Sequence, residues 1–290
     1  MLIAQITDFH IRAHGEDGTF GIDNNTNLHA AVAMLNSLDP APEAVIGTGD
    51  LTNRGRREEY AALRDLLAPL EAPIYLIPGN HDVVPHLREA FCDHDYLAGE
   101  DEFVCYVVDR YPLRLIGFDS TLSDAHNGAI CSRRLAWLRS RLEEAPERPT
   151  LLLMHHPPFR TGIWWMDGIG IIEGVDGLRD LLDAHPQVQR IVCGHLHRSI
   201  QANLGRTPVS VCPSTSYQVF LDTRPESHPQ FIAEPPALQL HTWTGEMLVS
   251  HTAYVGFPAE PIDLRPLMGN WDDRRERIHK GLPISKVVYY

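Results

Sequence analysis

The feature that most constrains this chain is a short apolar run followed at once by polar residues, repeated with helical spacing between the repeats. Ile74 to Ile77 is one such run. Pro78 and Gly79 close it, because proline has no N–H to donate and glycine reaches backbone angles that other residues avoid. Asn80, His81 and Asp82 follow directly. The run over residues 2–7 likewise delivers Asp8 and His10, and the run over residues 44–48 delivers Asp50. Between the first two runs, Leu28, Ala31, Val32, Leu35 and Leu38 mark one helix face, ended by Pro40 and Pro42. Between the second and third, Tyr60, Leu63, Leu66 and Leu67 mark another over residues 57–70. Strand, helix, strand, helix, strand, with polar groups at each strand's C-terminal end, is the order of an α/β sheet carrying a site along one edge.

Further along, residues 85–102 are polar and irregular, with room for one short helix, and residues 104–108 and 113–118 read as a hairpin. Residues 132–144 carry Leu135, Leu138 and Leu142 at helical spacing, with Ser132 as the predicted N-cap. A strongly apolar strand over 150–154 ends in His155-His156, and a loop with Trp164, Trp165 and Met166 follows. A helix over 175–184 precedes a last short strand, 191–193, which ends in Gly194-His195-Leu196-His197. Residues 206–212, 237–243 and 247–255 alternate like antiparallel strands, parted by a proline-containing loop over 223–236. From Phe257 onward, prolines and the mixed-charge run 272–277 suggest an arm packing on the surface or on a neighbouring subunit, docked through Trp271, Tyr289 and Tyr290. A disordered tail is the alternative.

Composition excludes several classes of function. A formal charge of -13 opposes binding to long nucleic acids, whose affinity comes chiefly from Lys and Arg neutralising phosphates. Small anions stay within reach where bound cations dominate the local field. No segment approaches the roughly 18 uninterrupted apolar residues of a spanning helix, so no membrane partner is expected. The five cysteines are odd in number and lack CxxC spacing, which suggests neither a disulfide framework nor a zinc ribbon, and the chain reads as cytoplasmic.

Five strand ends thus present Asp8 and His10; Asp50; Asn80 with His81; His155; and His195 with His197. Taken singly, each aspartate is a turn or capping residue and each histidine an ordinary surface or core residue. Together they form a set of hard oxygen and imidazole donors suited to Mn, Fe, Co or Zn, with no thiolate required. Seven donors exceed the needs of one four-coordinate zinc. Two metal ions sharing a carboxylate use the set economically, and Asp50 is the natural bridge.

Asp8-Phe9-His10, Gly49-Asp50-Leu51-Thr52-Asn53, Gly79-Asn80-His81-Asp82, His155-His156 and Gly194-His195-Leu196-His197 resemble, in order, the five motifs of calcineurin-like metallophosphoesterases. Tyr75-Leu76-Ile77-Pro78 and Met154-His155-His156-Pro157-Pro158 look like the bacterial class III cyclic-nucleotide phosphodiesterase and glycerophosphodiesterase branch. The resemblance implies a four-layer αββα sandwich, two mixed sheets flanked by helices, with a small antiparallel β cap and dimerisation region. Residues 1–200 would be the catalytic core, 201–256 the strands completing the second sheet and the cap, and 257–290 a C-terminal arm or tail that the resemblance does not reach.

Carried over by motif, one metal falls to Asp8, His10, Asp50 and His197, and the second to Asp50, Asn80, His155 and His195. His81 is then near the metals but free of them, and His156 is structural. The implied cofactors are two divalent or trivalent ions, Fe, Mn, Zn or Co, and the implied partner is a homo-oligomer of dimer size or larger. The implied reaction is hydrolysis of a small phosphodiester, such as a cyclic nucleotide or glycerophosphodiester, by a metal-bridging hydroxide. His81 would bind the phosphoryl oxygen or protonate the leaving alkoxide, a role suited to imidazole, with Asp82 orienting it or serving a turn. Phe20, the Trp164–Met166 loop, Tyr217, Phe220, His126 and Asn127 are candidate pocket residues, set against the plainer expectation that most of these aromatics are core. A phosphomonoesterase or nuclease on the same scaffold is the near alternative. A non-catalytic protein-binding scaffold is the distant one, since it should have lost ligands and none of the seven is missing.

Overall fold

The computed structural model describes residues 1–99, 101–256 and 262–284. In chain order the elements are β1 (Leu2–Ile6), α1 (Asn24–Asn36), β2 (Ala44–Thr48), α2 (Arg57–Leu67), β3 (Ile74–Ile77) and α3 (Val84–Ala90). Then come β4 (Tyr106–Val108), β5 (Arg114–Gly117), β6 (Thr121–Leu122), β7 (Ala125–Gly128), α4 (Ser132–Glu143), β8 (Thr150–Leu153), α5 (Trp164–Asp167), α6 (Val175–Asp183) and β9 (Val188–Cys193). The last are β10 (Ile200–Leu204), β11 (Thr207–Val211), β12 (Gln218–Val219), β13 (Phe231–Ile232), β14 (Ala237–Trp243), β15 (Leu248–Tyr254) and α7 (Trp271–His279). The chain divides into two compact units, Met1–Gly256 and Phe257–Tyr290.

Two mixed sheets form the centre of the first unit. One runs β15-β14-β1-β2-β3 and the other β10-β11-β9-β8-β5-β4. Side-chain alternation along the second sheet shows why the architecture has four layers. Leu115, Leu151, Leu153 and Val192 share a core with the first sheet and with Leu28, Leu35 and Tyr60 of α1 and α2. Their neighbours Ile116, Leu152, Ile191 and Cys193 point the other way, against Leu138 and Leu142 of α4 and Leu178, Leu181 and Leu182 of α6. Strands covered on both faces read as unbroken apolar runs, which is why residues 44–48 and 150–153 stand out as strands from their composition alone.

Several expectations need correction. The strands after residue 200 do not all complete the second sheet: β10 and β11 join it, whereas β14 pairs antiparallel with β1 and brings β15 to the edge of the first sheet. Alternation identifies a strand but carries no information about which open edge receives it. Helix α4 is preceded by Cys131 as its N-cap with no side-chain cap bond, and Ser132 lies inside the helix. Trp164 to Asp167 form one helical turn rather than a loop. Trp271 begins α7, a helix whose mixed charge leaves no apolar face to detect, capped by the Asn270 side chain accepting from the Asp273 N–H at 3.2 Å. Tyr289 and Tyr290, expected to help dock the arm, lie outside the described residues.

Candidate metal centre

Parallel register places the C-terminal ends of β1, β2 and β3 side by side, with Ile6 opposite Gly47 and Thr48 opposite Ile77. Asp8, Asp50 and Asn80 therefore emerge as neighbours. The ends of β8 and β9 supply His155 and His195 from the second sheet, and the backbones interlock across the gap. The Asp8 N–H donates to the Gly49 carbonyl at 3.0 Å, the His10 N–H to the Asp50 carbonyl at 3.0 Å, and the His195 N–H reaches the Asp8 carboxylate at 3.1 Å. Asp8, His10, Asp50, His195 and His197 all hold positive φ, from 47° to 69°. Non-glycine residues seldom adopt that conformation, and its concentration in one cluster is strain held by the surrounding fold, as is common at functional sites. Gly79 is required by close approach: a Cβ there would lie 2.1 Å from the Asp50 backbone nitrogen.

The side chains converge in two groups around Asp50. In the first, the ligand atoms of Asp8, His10, Asp50 and His197 lie within 4.8 Å of one another, and all four residues are buried. His10 Nε2 and His197 Nε2 stand 3.1 Å apart, His197 Nε2 is 3.4 Å from Asp8 Oδ1, and His10 Nε2 is 3.7 Å from Asp50 Oδ2. In the second, Asn80 Oδ1 lies 3.1 Å from His155 Nε2 and 3.0 Å from His195 Nδ1, while His155 Nε2 is 3.4 Å from Asp50 Oδ1. His156 also lies close to His155 and His195. Both its ring nitrogens are already engaged, Nδ1 with Ser120 Oγ at 2.9 Å and Nε2 with the His126 carbonyl at 3.0 Å.

The residues present fit a pair of cations. Asp8 and Asp50 are buried, buried carboxylates are costly unless a positive charge compensates them, and the ligand atoms of Asp8, His10, Asp50 and His197 lie close enough together to share one ion. The titration preferences agree. Burial opposes a charge on His155, yet Asp50, Asp8 and the Thr48 carbonyl push it up to about 9. Burial and the neighbouring His81 hold His10 well below the ordinary histidine value. Burial raises the Asp50 carboxyl, but His155 and His81 outweigh it and bring it well below the usual range. Burial likewise holds His195 well below the ordinary histidine value, so His10 and His195 favour the neutral form in which a ring nitrogen can ligate, and the oxygen and imidazole donors suit Mn, Fe, Co or Zn.

Above the cluster opens a cavity of about 310 Å³, with His10, Asp50, Asn80, His81, His195 and His197 at its base. His81 is anchored by the Asn53 carbonyl, 2.8 Å from Nδ1, with Nε2 4.0 Å from Asp50 Oδ2. Tyr217 lines the wall, and His126 contacts Asn80 Nδ2 through its Nδ1 at 2.9 Å. Phe20 stands behind Tyr217, edge to face at 5.4 Å. Asn127 is a correction: its amide donates to the carbonyls of Gly168 and Gly170 and braces the segment after α5, and it does not line the cavity. Nor do Phe20, Phe220 and Trp164 line it, although Trp165 and Met166 do.

The sequence was compared with protein families and with known proteins. The model for calcineurin-like phosphoesterases matches residues 1–199. The chain belongs to the calcineurin-like phosphoesterase family. A probable glycerophosphodiester phosphodiesterase of Arcobacter nitrofigilis is 37% identical over 257 residues, covering 88% of this chain and 94% of that protein. The 3',5'-cyclic adenosine monophosphate phosphodiesterase CpdA of Pseudomonas aeruginosa is 30% identical over 218 residues, covering 75% of this chain and 77% of that protein. Among solved structures, the Plasmodium inner membrane complex anchor GAP50 aligns over 100% of this chain and 97% of its own with a TM-score of 0.59. At 12% identity, that likeness concerns the fold.

In this calcineurin-like phosphoesterase Asp82 takes the second of its two expected roles, whereas Phe231 leaves no signal in the sequence. Asp82 does not orient His81. It gathers the loops instead, accepting from the N–H groups of Leu51, Thr52 and Gly79 and from the hydroxyls of Thr52 and Tyr60. Burial and the nearby Asp50 raise its carboxyl to about 6. Phe231 enters the cavity from β13, a two-residue strand inside the stretch expected to be a loop, where no periodicity is long enough to signal burial.

Proposed function

We propose that this phosphoesterase is a dinuclear-metal hydrolase of small phosphodiesters, with one metal held by Asp8, His10, Asp50 and His197 and the other by Asp50, Asn80, His155 and His195. The observation that carries the reading is the gathering of these donors, all but Asn80 buried, around Asp50, whose two oxygens face His10 and His155 at the floor of an open cavity. When bound, such a metal pair supplies Lewis acidity and offsets charge on the phosphoryl group.

The chain's own residues do the rest. His155 presents Nε2 to the cluster because its Nδ1 donates to the Thr48 carbonyl at 2.8 Å, and His197 is fixed in the same way by the Tyr217 carbonyl at 2.7 Å. His81 Nδ1 donates to the Asn53 carbonyl, so Nε2 carries a proton only in the imidazolium form. That imidazolium protonates the leaving alkoxide from Nε2 and is left as the neutral Nδ1–H tautomer that Asn53 already holds. Tyr217 contributes to the substrate wall, with Phe20 packed against it.

Among the described residues no Lys or Arg lines the cavity. A diester carries one negative charge where a monoester carries nearly two, so the lining favours the diester over the monoesterase alternative. The relatives' names, glycerophosphodiester and cyclic nucleotide phosphodiesterases, agree. The same reading includes a homo-oligomer and a cytoplasmic setting. Five unpaired cysteines support the latter, and no helix among the described residues is long and apolar enough to cross a membrane. The test is Mn²⁺-reconstituted protein assayed in parallel on bis(4-nitrophenyl) phosphate and 4-nitrophenyl phosphate. Faster turnover of the monoester would overturn the reading, and activity on neither, with metals bound, would favour the scaffold.

A further inference from the structure

Away from its metal-binding base the cavity is walled, His126 aside, by apolar and aromatic side chains. Phe231 is the hub of an aromatic group drawn from three distant segments. Phe20 stacks on it at 5.2 Å and 26°, Tyr217 meets it at 4.7 Å and 69°, and Trp165 meets it edge-on at 5.7 Å and 89°. Met166, Ile169 and Val219 extend the wall. Phe20 is 69% exposed and Phe231 39% exposed, so a large apolar surface faces water beside the site. Such surface next to a cavity signals a ligand.

Resting on the phosphodiesterase reading above, we propose that this wall is the subsite for one substituent of the diester. It selects a planar apolar group of aryl size over a glycerol or a cationic headgroup. Three observations carry the choice. The rings touch one another and make a continuous face, whereas a quaternary ammonium is held by rings standing apart around a central space. The only carboxylate lining the cavity among the described residues is Asp50, which belongs to the metal cluster, so no anion is left to pair with a headgroup cation. Glycerol hydroxyls against Phe231, Met166, Ile169 and Val219 would lose water and gain no partner there. An aryl group instead covers the exposed faces of Phe20 and Phe231 and joins the stack.

The test uses metal-reconstituted protein turning over bis(4-nitrophenyl) phosphate, inhibited separately by diphenylphosphinate, dimethylphosphinate and glycerophosphocholine. Each phosphinate carries a diester's single charge and has no ester bond to cleave. Burial of a ring predicts an inhibition constant for diphenylphosphinate about tenfold or more below that of dimethylphosphinate. Glycerophosphocholine should compete no better than dimethylphosphinate. Phe231→Ala, and separately the exposed Phe20→Ala, should narrow the phosphinate ratio to below about threefold, with Phe231→Leu restoring part of it. Equal constants for the two phosphinates in the unaltered protein would overturn the proposal, as would a ratio undiminished in both alanine variants. Glycerophosphocholine competing better than diphenylphosphinate would assign the wall to a cationic headgroup and also overturn it. Absence of all turnover would sink the phosphodiesterase reading instead, and phosphinate binding followed by calorimetry would still decide the wall.

Discussion

His155 Nδ1 lies 2.8 Å from the backbone carbonyl of Thr48, a bond that ties the end of one central sheet to the end of the other. It sets the tautomer of His155 and aims Nε2 at Asp50 and Asn80. The two sheets thus meet at a candidate metal-ligating side chain, and the consequences are open to experiment.

His81→Ala should leave metal content unchanged and lower kcat by about 10²–10⁴-fold, the usual worth of a positioned general acid. Metal analysis beside steady-state kinetics on bis(4-nitrophenyl) phosphate checks both halves. Loss of metal with unchanged turnover per bound ion would place His81 among the ligands instead.

Asp50→Ala should lose both metals, because the carboxylate contributes one oxygen to each group. Asn80→Ala should lose chiefly one, since Asn80 contacts only His155 and His195 of the cluster. Metal stoichiometry after dialysis against a chelator distinguishes them, and re-addition of Mn²⁺ should restore activity to the unaltered protein alone.

Asp82→Ala should destabilise the fold by about 3 kcal/mol or more, since it strands three backbone N–H groups in a buried setting. Thermal melting measures this. A loss of activity with an unchanged melting temperature would instead give Asp82 a direct role in the chemistry.

His241 is buried between Gln5 and Ser250, and burial, reinforced by Arg190, lowers its pKa to about 3. The unfolded chain binds a proton there near 6.5 and the folded chain does not. Stability is therefore full above about pH 6.5 and falls as the pH drops toward 3. His241→Gln should flatten that fall between pH 7 and 5 in denaturant titrations. An unchanged slope would show that other groups dominate it.

The regular part of the fold was legible because it is doubly buried. The residues of β2 and β3 could be bounded correctly from their apolar runs, and each run was closed by a glycine or proline. The hairpins β6–β7 and β12–β13 were not legible, because three of their strands are two residues long and the fourth, Ala125-His126-Asn127-Gly128, carries no apolar run like that of β3. Those hairpins carry His126 and border Tyr217 and Phe231, so the metal end of the site could be read and the substrate end largely could not.

The sequence by itself determined the donor chemistry: two aspartates, an asparagine and four histidines, each placed directly after a strand, with no thiolate among them. The side chains alone settle what kind of ion they favour. Only the tertiary structure showed what engages His156, Ser120 on one ring nitrogen and the His126 carbonyl on the other. It also fixed which ring nitrogen of His81, His155 and His197 faces inward. Those orientations are set by carbonyls distant along the chain: Thr48 reaches His155 across the two sheets, Asn53 reaches His81 at the end of the first, and Tyr217 reaches His197 at the end of the second. A hydrogen bond between distant segments leaves no periodic trace in the sequence, because its geometry is made by the register and layering of the strands between them.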